Sequence, residues 1–351
     1  MNLAEIAKLA KVSTATVSRA INRVPTVDPV LSRRVWRVIQ EVGYYPNTHA
    51  RALVSGRSRT FGLIVSEISN PFFPEMVQTF TQLGIKHNYE IFLNLVTQDS
   101  GQLEMAARRM LERRVDGVAI LTFEREDSLI ELFTNRQVPV FAVDGDISGP
   151  LSKTVRIDYE TGIRQAVQHL AALGHVQIGF VGGPAHLKTA TMRRTAFLEC
   201  LKEIGLSIHP EMMVEGDHTM EAGVKAMAIL AALPSRPSAV LCSNDLTAIG
   251  LMRQAFELSL DVPRQLAVVG FDDIRFAQFV IPPLTTVQMS QSEIAETAFS
   301  ALLQCVEYGK AGSPSEAAVI KTNLVLRSST TLAPHRRRAT CVDASVPAAN
   351  D

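Results

Sequence analysis

The hydrophobic positions of the first 45 residues repeat every three to four residues, which is the period of an amphipathic helix. Two such runs are separated by a polar break at Lys11–Ser13, so they predict two short helices joined by a tight turn. A third run predicts a helix from Pro29 to Val42 that ends at Gly43. The apolar positions of the three runs are Leu3, Ile6, Ala7, Ala10, then Ala15, Val17, Ala20, Ile21, then Val30, Val35, Val38, Ile39 and Val42, with Trp36 beside the last group.

The second predicted helix has the composition of a helix that enters a DNA groove. Ser13 is suited to cap its N-terminus, because a serine hydroxyl accepts a hydrogen bond from a backbone N–H of the first turn. If Val17 and Ile21 are buried, the opposite face points outward. Short side chains at its start and Arg19 one turn later allow close approach to base edges, where an arginine can pair with guanine. The candidate DNA-contacting residues of this segment are Ser13, Thr14, Ala15, Thr16, Ser18, Arg19 and Asn22.

Positive charge is concentrated in the same segment. Up to residue 57 the chain has nine lysines and arginines and three acidic residues, a net charge of +6. The whole chain is neutral, so the remainder carries −6. An excess of positive charge at one end of a neutral protein is typical of a surface that binds a polyanion. The alternative is a solvated basic face on an ordinary helical cap.

From Arg59 onwards, short and nearly continuous apolar runs alternate with runs of helical period. Such alternation predicts parallel sheets covered by helices on both faces. The runs form two series, which predicts two lobes. The predicted strands are 61–65, 90–95, 117–121 and 138–143 in the first series, and 178–181, 239–242 and 266–270 in the second. We therefore expect a helical N-terminal unit followed by a two-lobed α/β core with two parallel sheets.

These residues resemble the lactose/galactose repressor family of bacterial transcription regulators. The resemblance is carried by Ile6-Ala7, Val12-Ser13, 15–19, 43–47 and 50–53, and it extends to about Pro334. It implies a helix-turn-helix DNA-binding domain at 1–45 and a hinge helix with linker at 46–58. It also implies a periplasmic-binding-protein-like domain for effector binding and dimerisation at 59–330. We expect lobe crossovers near 158 and 285–325, and a disordered tail at 331–351.

In this family the hinge helix folds on the operator, and a leucine matched here by Leu53 wedges the minor groove. The residues suit that role, since a helix of about seven residues is too short to be stable alone. Pro46 fixes the entry of the chain, small Ala50 and Ala52 permit close approach, and Arg51 can reach a phosphate. The alternative is a plain alanine-rich linker helix. The candidate contact residues of this segment are Asn47, Ala50, Arg51 and Leu53.

Polar and small residues follow the predicted strands, at the edge where parallel sheets bind ligands. They predict a cleft for a hydroxylated small molecule. The resemblance matches Arg193, Asn244 and Asp272 to effector contacts; Arg193 can bind a carboxylate or hydroxyl pair as a fork, and Asp272 can accept from hydroxyls. Alternatively, Asn244 and Asp272 serve as helix caps or turn braces, and Phe73 belongs to the core. The candidate effector-binding residues are Asn70, Phe72, Phe73, Asp158, Arg193, Asn244 and Asp272.

Two departures from the family pattern change the expectations. Members that bind sugars often carry an aromatic ring where this chain has His218, and a lone histidine is more often a surface or supporting residue than a ligand contact. The sequence after Pro334 has no leucine heptad of the kind that joins two dimers in the lactose repressor. We therefore expect homodimers.

Composition and motifs exclude several other classes. The chain has no apolar run of 18 residues and no signal-peptide pattern, which predicts a cytoplasmic protein with no membrane partner. Its four cysteines form no CxxC pair, and no GxGxxG, P-loop, HExxH or GxSxG occurs, so we expect no catalytic residues, cofactor or metal.

The expected function is that of a transcription regulator, a repressor by expectation, which binds a pseudo-palindromic double-stranded operator. Its affinity would be controlled by a sugar or related metabolite between the lobes. The alternative from another class is the sugar-binding component of a transport system, which the DNA-reading segment disfavours.

Overall fold

The computed structural model describes residues 2–21, 24, 26–44, 56–96, 100–122, 127–145, 151–308 and 318–334. The chain divides into two compact units, an N-terminal helical unit and a larger α/β body. In the described residues no helix is long and apolar enough to cross a membrane.

Three helices form the N-terminal unit: α1 is Leu3–Ala10, α2 is Thr14–Ile21 and α3 is Pro29–Glu41. Their starts are fixed by side-chain caps, since the Asn2 side chain accepts from Ala4 N and Glu5 N and the Asp28 side chain accepts from the first turn of α3. Beyond α3, Gly43 has φ +59°, a conformation that favours glycine. The three helices share a small core of Ile6, Ala7, Ala10, Val17, Ala20, Ile21, Val35 and Ile39.

Val30 is an exception to the predicted core of α3. Its side chain is 61% exposed, because α3 reaches the core only from its second turn, at Val35. The expectation that Val30 is a core position was wrong.

The body consists of two lobes, each built on a six-stranded sheet. The first lobe contains β1 Thr60–Val65, α4 Phe72–His87, β2 Glu90–Leu95, α5 Ser100–Glu112, β3 Gly117–Leu121, α6 Asp127–Asn135, β4 Val140–Val143 and β5 Ser152–Asp158. The second contains α7 Tyr159–Ala172, β6 Ile178–Val181, α8 Lys188–Glu203, β7 Met213–Val214, α9 Met220–Ala232, β8 Ala239–Cys242, α10 Asp245–Glu257, β9 Ala267–Asp272 and β10 Thr285–Gln288. Then follow α11 Gln291–Tyr308, β11 Ala318–Lys321 and β12 Asn323–Val325, with short 3-10 turns at Pro210–Met212 and Arg275–Gln278.

The strand order is β11-β5-β4-β3-β1-β2 in the first sheet and β12-β10-β9-β8-β6-β7 in the second. All pairs are parallel except β10 with β12. The two parallel sheets that the sequence predicts are confirmed, and each predicted strand matches an observed one to within two residues at either end. The strands β5, β7, β10, β11 and β12 were not predicted, since they are short or only partly apolar.

The chain passes between the lobes at three places. It leaves the first sheet after β5, returns through α11 to β11, and crosses again at Thr322 to reach β12. The Thr322 hydroxyl donates to the Asp158 backbone oxygen at 2.6 Å and accepts from Gly162 N at 3.0 Å. This buried hydroxyl therefore joins two of the crossing segments.

The chain remains bound to the second lobe as far as Pro334, the last described residue. His175 Nε2 lies 2.9 Å from the Thr331 backbone oxygen, and Ala333 N donates to Leu173 O at 2.8 Å. The segment that packs on the second lobe thus extends four residues beyond 330, the predicted end of the body. Residues 335–351 lie outside the described residues.

Helices α9 and α10 approach each other at two glycines. A Cβ atom built on Gly250 would lie 1.9 Å from the Met220 carbonyl oxygen, and one on Gly223 would lie 2.0 Å from the Thr247 carbonyl oxygen. Both obstacles are backbone atoms, which cannot rotate away as a side chain can. Close packing of α10, which begins at the ligand-facing edge of the second sheet, therefore requires glycine at these positions.

We predict that Gly250→Ala destabilises the body by about 3 kcal/mol or more, because overpacking against backbone outweighs the gain of about 1 kcal/mol in helix propensity. Chemical denaturation monitored by circular dichroism measures the change. Ala228→Leu, at an exposed position of α9, is the control and should stay within about 0.5 kcal/mol of the parent. An unchanged or raised stability for Gly250→Ala would contradict the proposed contact.

Candidate functional site

A cavity of about 320 Å³ lies between the two lobes, at the carboxyl ends of the strands. Its size is within the range of small-molecule sites. Residues from both lobes and from the segment before α11 line it. They are Ser66, Glu67, Asn70, Phe72, Phe73, Val96, Thr122, Pro184, Leu187, Thr189, Arg193, Asp217, His218, Asn244, Asp272 and Met289.

The first lobe contributes an apolar corner that is shaped by Asn70. The Asn70 side-chain oxygen accepts from Phe72 N at 3.1 Å, which fixes the turn into α4. The rings of Phe72 and Phe73 lie edge to face with centroids 5.6 Å apart. Both rings are largely buried and belong to the core of the body. Phe73 is therefore a core residue, as the alternative interpretation had it, and it lines the cavity as well.

Arg193 is buried in the wall of the second lobe on α8. Its Nη1 donates to the Ser243 backbone oxygen at 2.5 Å, and its Nη2 lies 3.4 Å from Asp272 Oδ1. The guanidinium carbon lies 4.1 Å from the centre of the Phe271 ring and 5.3 Å from that of Tyr159. Among the described residues, Arg193 Nε has no hydrogen-bond partner. The guanidinium is thus held between an aromatic pair, a carbonyl and a carboxylate.

Asp272 ends β9 and faces Arg193 at the floor of the cavity. Its φ is 110°, an uncommon conformation for a residue other than glycine, and Gln291 Nε2 donates to its backbone oxygen at 3.0 Å. Burial raises the pKa of the Asp272 carboxyl to about 7, although the neighbouring Arg193 lowers it. This carboxyl can therefore exist in both protonation states near neutral pH.

Asn244 caps α10 and also lines the cavity. Its side-chain oxygen accepts from Thr247 N at 3.0 Å, and its side-chain nitrogen donates to the His218 backbone oxygen at 2.9 Å. The capping role proposed as the alternative is therefore present. Asn244 thus both caps α10 and lines the cavity.

His218, for which the sequence predicted a surface or supporting role, lies in the wall of the cavity. Its φ is 66°, and its ring packs so closely on Gly183 that a Cβ there would meet Nε2 at 1.9 Å. Burial and the positive charge of Arg193 together lower the pKa of His218 to about 3. The imidazole is therefore neutral, and its Nε2 has no partner among the described residues.

Asp158 does not line the cavity, so its placement does not support the predicted effector contact. Its Oδ1 accepts from Thr161 N at 3.0 Å and its Oδ2 accepts from the Thr161 hydroxyl at 2.6 Å. Both oxygens cap α7, and a carboxylate used in this way is turned toward its own helix.

A neighbouring pair that was not among the candidates lies behind Arg193 instead. The Tyr159 hydroxyl donates to Asp144 Oδ2 at 2.7 Å, and Ile157 N donates to Asp144 Oδ1 at 2.9 Å. Burial raises the pKa of both Asp144 and Tyr159. Asp144 follows a predicted strand, as Asp272 does, and this position could have identified it as a site residue. No feature of the sequence could have identified Tyr159.

Asp245 is a further buried carboxylate that was not predicted. Its Oδ1 accepts from the Thr286 hydroxyl at 2.5 Å and its Oδ2 from Ile274 N at 2.8 Å. Burial and the charge of Asp272 raise its pKa well above the ordinary value. Asp245 joins α10, β10 and the loop after β9, and so supports the segment that carries Asp272.

In the N-terminal unit, α2 presents the predicted outer face. Thr14, Ala15 and Arg19 are exposed and Ser18 is half-buried, while Val17 is fully buried. The Ser13 hydroxyl accepts from Thr16 N at 3.1 Å and lies 2.9 Å from the Thr16 hydroxyl, so these two residues form the N-terminal cap. The other candidates lie outside the described residues: Asn22, Asn47, Ala50, Arg51 and Leu53.

Among the residues that the structure describes, no group of three or more histidine, cysteine, aspartate or glutamate side chains is placed to hold a metal. Cys200, Cys242 and Cys305 are free thiols, and burial raises the pKa of each.

Comparison with known proteins gives a consistent result for both units. The model of the bacterial regulatory proteins, lacI family, matches residues 2–47, and that of the periplasmic binding protein-like domain matches 167–330. The HTH-type transcriptional repressor CytR of Escherichia coli (strain K12) is 33% identical over 332 residues, which is 94% of this chain and 96% of that protein.

Solved structures with the same architecture include the lac repressor dimer bound to operator and the anti-inducer ONPF, with 26% identity and a TM-score of 0.83. The complex of the transcriptional regulator CelR with cellobiose has 28% identity and a TM-score of 0.70. In both cases the match covers 94% of this chain and 99% of the other.

A helix-turn-helix unit in one chain with a two-lobed ligand-binding body defines a DNA-binding transcription regulator. This chain belongs to the lacI family of bacterial regulatory proteins. The resemblance and the fold class inferred from the sequence are thereby confirmed, and the relatives are transcriptional repressors rather than enzymes or transport components.

The raised pKa of Asp272 predicts a specific dependence of stability on pH. A carboxyl with a pKa near 3.8 in the unfolded chain and about 7 in the folded protein binds its proton more tightly in the folded state, so its contribution to stability is lost as pH rises from about 4 to 7. We expect Asp272→Asn to remove this loss. The free energy of unfolding of Asp272→Asn minus that of the parent should therefore increase by up to about 4 kcal/mol between pH 4 and pH 7.

Denaturant unfolding at pH 4, 5, 6 and 7 measures the difference. Asp217→Asn is the control: the Thr219 side chain lowers the pKa of Asp217, so its difference from the parent should be flat above pH 4. If the difference in unfolding free energy between Asp272→Asn and the parent did not change with pH, Asp272 would not have a raised pKa in the folded protein.

Proposed function

We propose that this protein represses transcription by binding a pseudo-palindromic operator as a homodimer, and that a small molecule in the cleft controls its affinity for DNA. The cleft is the main support for this proposal, because it contains a buried Arg193–Asp272 pair at the carboxyl ends of the strands, between the two lobes. The same chain also presents the exposed polar face of α2. The proposed organisation is a DNA-binding domain at 1–45, a hinge at 46–58 and an effector and dimerisation domain at 59–330.

The DNA contacts proposed for α2 follow from its geometry. Its buried face packs on α1 and α3, so the exposed residues Thr14, Ala15 and Arg19 are free to enter a major groove, with Ser18 beside them. Ser13 and Thr16 bond to each other at the helix start and contribute through the cap, where backbone N–H groups can meet a phosphate. Arg51 and Leu53, with Asn22, Asn47 and Ala50, complete the proposed contact set from the resemblance to the family.

The effector proposed for the cleft is a sugar or a related hydroxylated metabolite. Asn70, Phe72 and Phe73 line it from one lobe and Arg193, Asn244 and Asp272 from the other. An apolar corner opposite carboxylate and amide groups suits a ring that has a hydrophobic face and hydroxyl groups. CelR, a structural neighbour, is bound to cellobiose, which supports the same class of ligand.

Coupling between the two sites is proposed to act through the angle between the lobes. A ligand that contacts both walls binds one arrangement of the lobes better than another and so shifts their equilibrium. The lobes are proposed to rotate about the three crossing segments, two of which are joined by the Thr322 hydroxyl near Asp158. The protein is proposed to act in the cytoplasm, without catalysis.

We predict that Arg19→Ala reduces operator affinity by about 1–3 kcal/mol per half-site and relaxes the preference at one base pair, because a bidentate contact to a base is lost. Fluorescence anisotropy with operator fragments that differ at single positions measures both effects. Arg37→Ala, an equal change of charge at an exposed site on α3, should weaken binding uniformly and leave sequence preference intact. Identical sequence preferences for Arg19→Ala and the parent would refute the contact.

We predict that Asp272→Asn loses the response to compounds that stabilise the parent in a thermal-shift screen of sugars, sugar acids and nucleobases, while operator binding is retained. Asp158→Asn is the matched carboxyl control, because Asp158 caps α7 away from the cavity and asparagine is also a good cap. A normal ligand titration in Asp272→Asn, or an equal loss in both variants, would count against the assigned site.

A further inference from the structure

Two consecutive residues at the end of β9 have backbone conformations that are uncommon for residues other than glycine. Asp272 has φ 110° and Asp273 has φ 56°. Such conformations cost free energy and persist only where the surrounding structure holds them. The turn that presents the Asp272 carboxyl to the cleft is therefore kept in place by contacts with other parts of the fold.

The residues that follow Asp272 are held by side chains of the second lobe. The Asp273 carboxylate accepts from Arg327 Nη2 at 2.6 Å and from Gln288 Nε2 at 3.0 Å. One residue later, Ile274 N donates to Asp245 Oδ2 at 2.8 Å. These contacts fix the turn to its own lobe.

Gln291 holds Asp272 itself, and it does so from a helix of the other lobe. Its Nε2 donates to the Asp272 backbone oxygen at 3.0 Å, and its side chain is buried. Gln291 is the first residue of α11, at the point where the chain crosses back from β10 to the first lobe. There α11 packs against α4 and β3, and the Phe299 ring lies edge to face on Phe80 of α4 with centroids 5.3 Å apart. The Gln291 amide thus joins a cleft residue of the second lobe to a helix anchored in the first.

The crossing segment uses the Asp272 carbonyl twice. Besides Gln291 Nε2, Met289 N donates to the same oxygen at 3.4 Å, and a carbonyl oxygen has two lone pairs to accept them. A buried amide or carbonyl left without a partner is costly. Movement of α11 relative to the second lobe must therefore either break this buried hydrogen bond or move the Asp272 backbone with it.

From these contacts we infer that Gln291 is a positioning residue: it fixes the Asp272 backbone to α11, so that the orientation of the Asp272 carboxyl and the arrangement of the two lobes depend on each other. The inference rests on the proposed function, because it names the contact through which occupancy of the same cleft reaches the first lobe. A ligand that holds the Asp272 carboxyl then favours one position of α11, and by linkage the position of α11 alters the affinity for the ligand.

The substitution Gln291→Met tests the first half of the inference, since it removes the amide donor and keeps a side chain of similar length. We expect the Asp272 turn to relax and its carboxyl to become better solvated, so that the pKa of Asp272 falls by at least about one unit. Carbon-13 NMR of the aspartate carboxyls in the full-length protein measures this pKa, which a loss of overall stability alone would not move.

The matched control is Gln177→Met. Gln177 Nε2 donates to Ser235 Oγ at 3.0 Å beside the amino end of β6, at the opposite end of the second sheet from the cleft, so the pKa of Asp272 should stay at the parent value. An Asp272 pKa in Gln291→Met that equals that of the parent would overturn the inference.

Pulsed electron paramagnetic resonance tests the second half, the link between the lobes. Spin labels at Lys86→Cys on α4 and Lys225→Cys on α9, both exposed positions, report the distance between the lobes, with Cys305 and Cys341 replaced by serine. Labelled chains are diluted with unlabelled chains so that only distances within one chain are measured. We expect Gln291→Met to broaden or shift the distance distribution and Gln177→Met to leave it unchanged.

Gln291→Glu separates the donor from the shape of the side chain. It keeps the shape but replaces the donor by an acceptor, so it should behave as Gln291→Met in the distance measurement. A distribution in Gln291→Met or Gln291→Glu that equals that of the parent would overturn the inference. Neither arm uses operator or effector, so such a result would leave the proposed function standing, whereas failure of the proposed function would appear as a parent that does not bind operator.

Discussion

The ion pair between Arg193 and Asp272 is the interaction on which the ligand-binding cleft depends. Both side chains are buried, and a charge in such a place is tolerated only with a partner and with hydrogen bonds that replace water. The Ser243 carbonyl and the rings of Phe271 and Tyr159 supply the remaining contacts of the guanidinium. Removing the Arg193 guanidinium would leave the charged form of Asp272 buried and unpaired, at a cost of about 3–5 kcal/mol.

The fold explains why these groups meet. Parallel strands point their carboxyl ends toward the same edge, so Asp272 at the end of β9, Ser243 after β8 and Asp144 after β4 all lie near Arg193. The close packing of α9 on α10 through Gly223 and Gly250 sets where α10 begins. The apolar strands and the glycine contacts thus fix the backbone so that these polar groups are buried next to one another. Buried elsewhere without partners, they would destabilise the fold.

The sequence predicted the sheets well because buried parallel strands are almost wholly apolar, as β1, β3 and β8 are. It missed β10, where three of the four residues are polar, and β11, where only three residues in a row are apolar, because such short runs give a weak signal. Within the site, Asp272 and Asn244 were predictable from their places after strands. The contacts of Arg193 with Ser243 and Asp272 and the neutral state of His218 depend on residues far apart in sequence, which no local pattern records.

Asp272 is a buried carboxyl that lies against Arg193 and lines the cleft proposed to bind the effector. Carbon-13 NMR of the aspartate side-chain carboxyls, with Asp272 assigned by comparison with Asp272→Asn, measures its titration directly. We expect a pKa of about 7 without ligand and a lower value when a hydroxylated effector is bound, because hydrogen bonds to the carboxylate favour its charged form. A titration at the ordinary value for aspartate, unchanged by any ligand, would contradict this expectation.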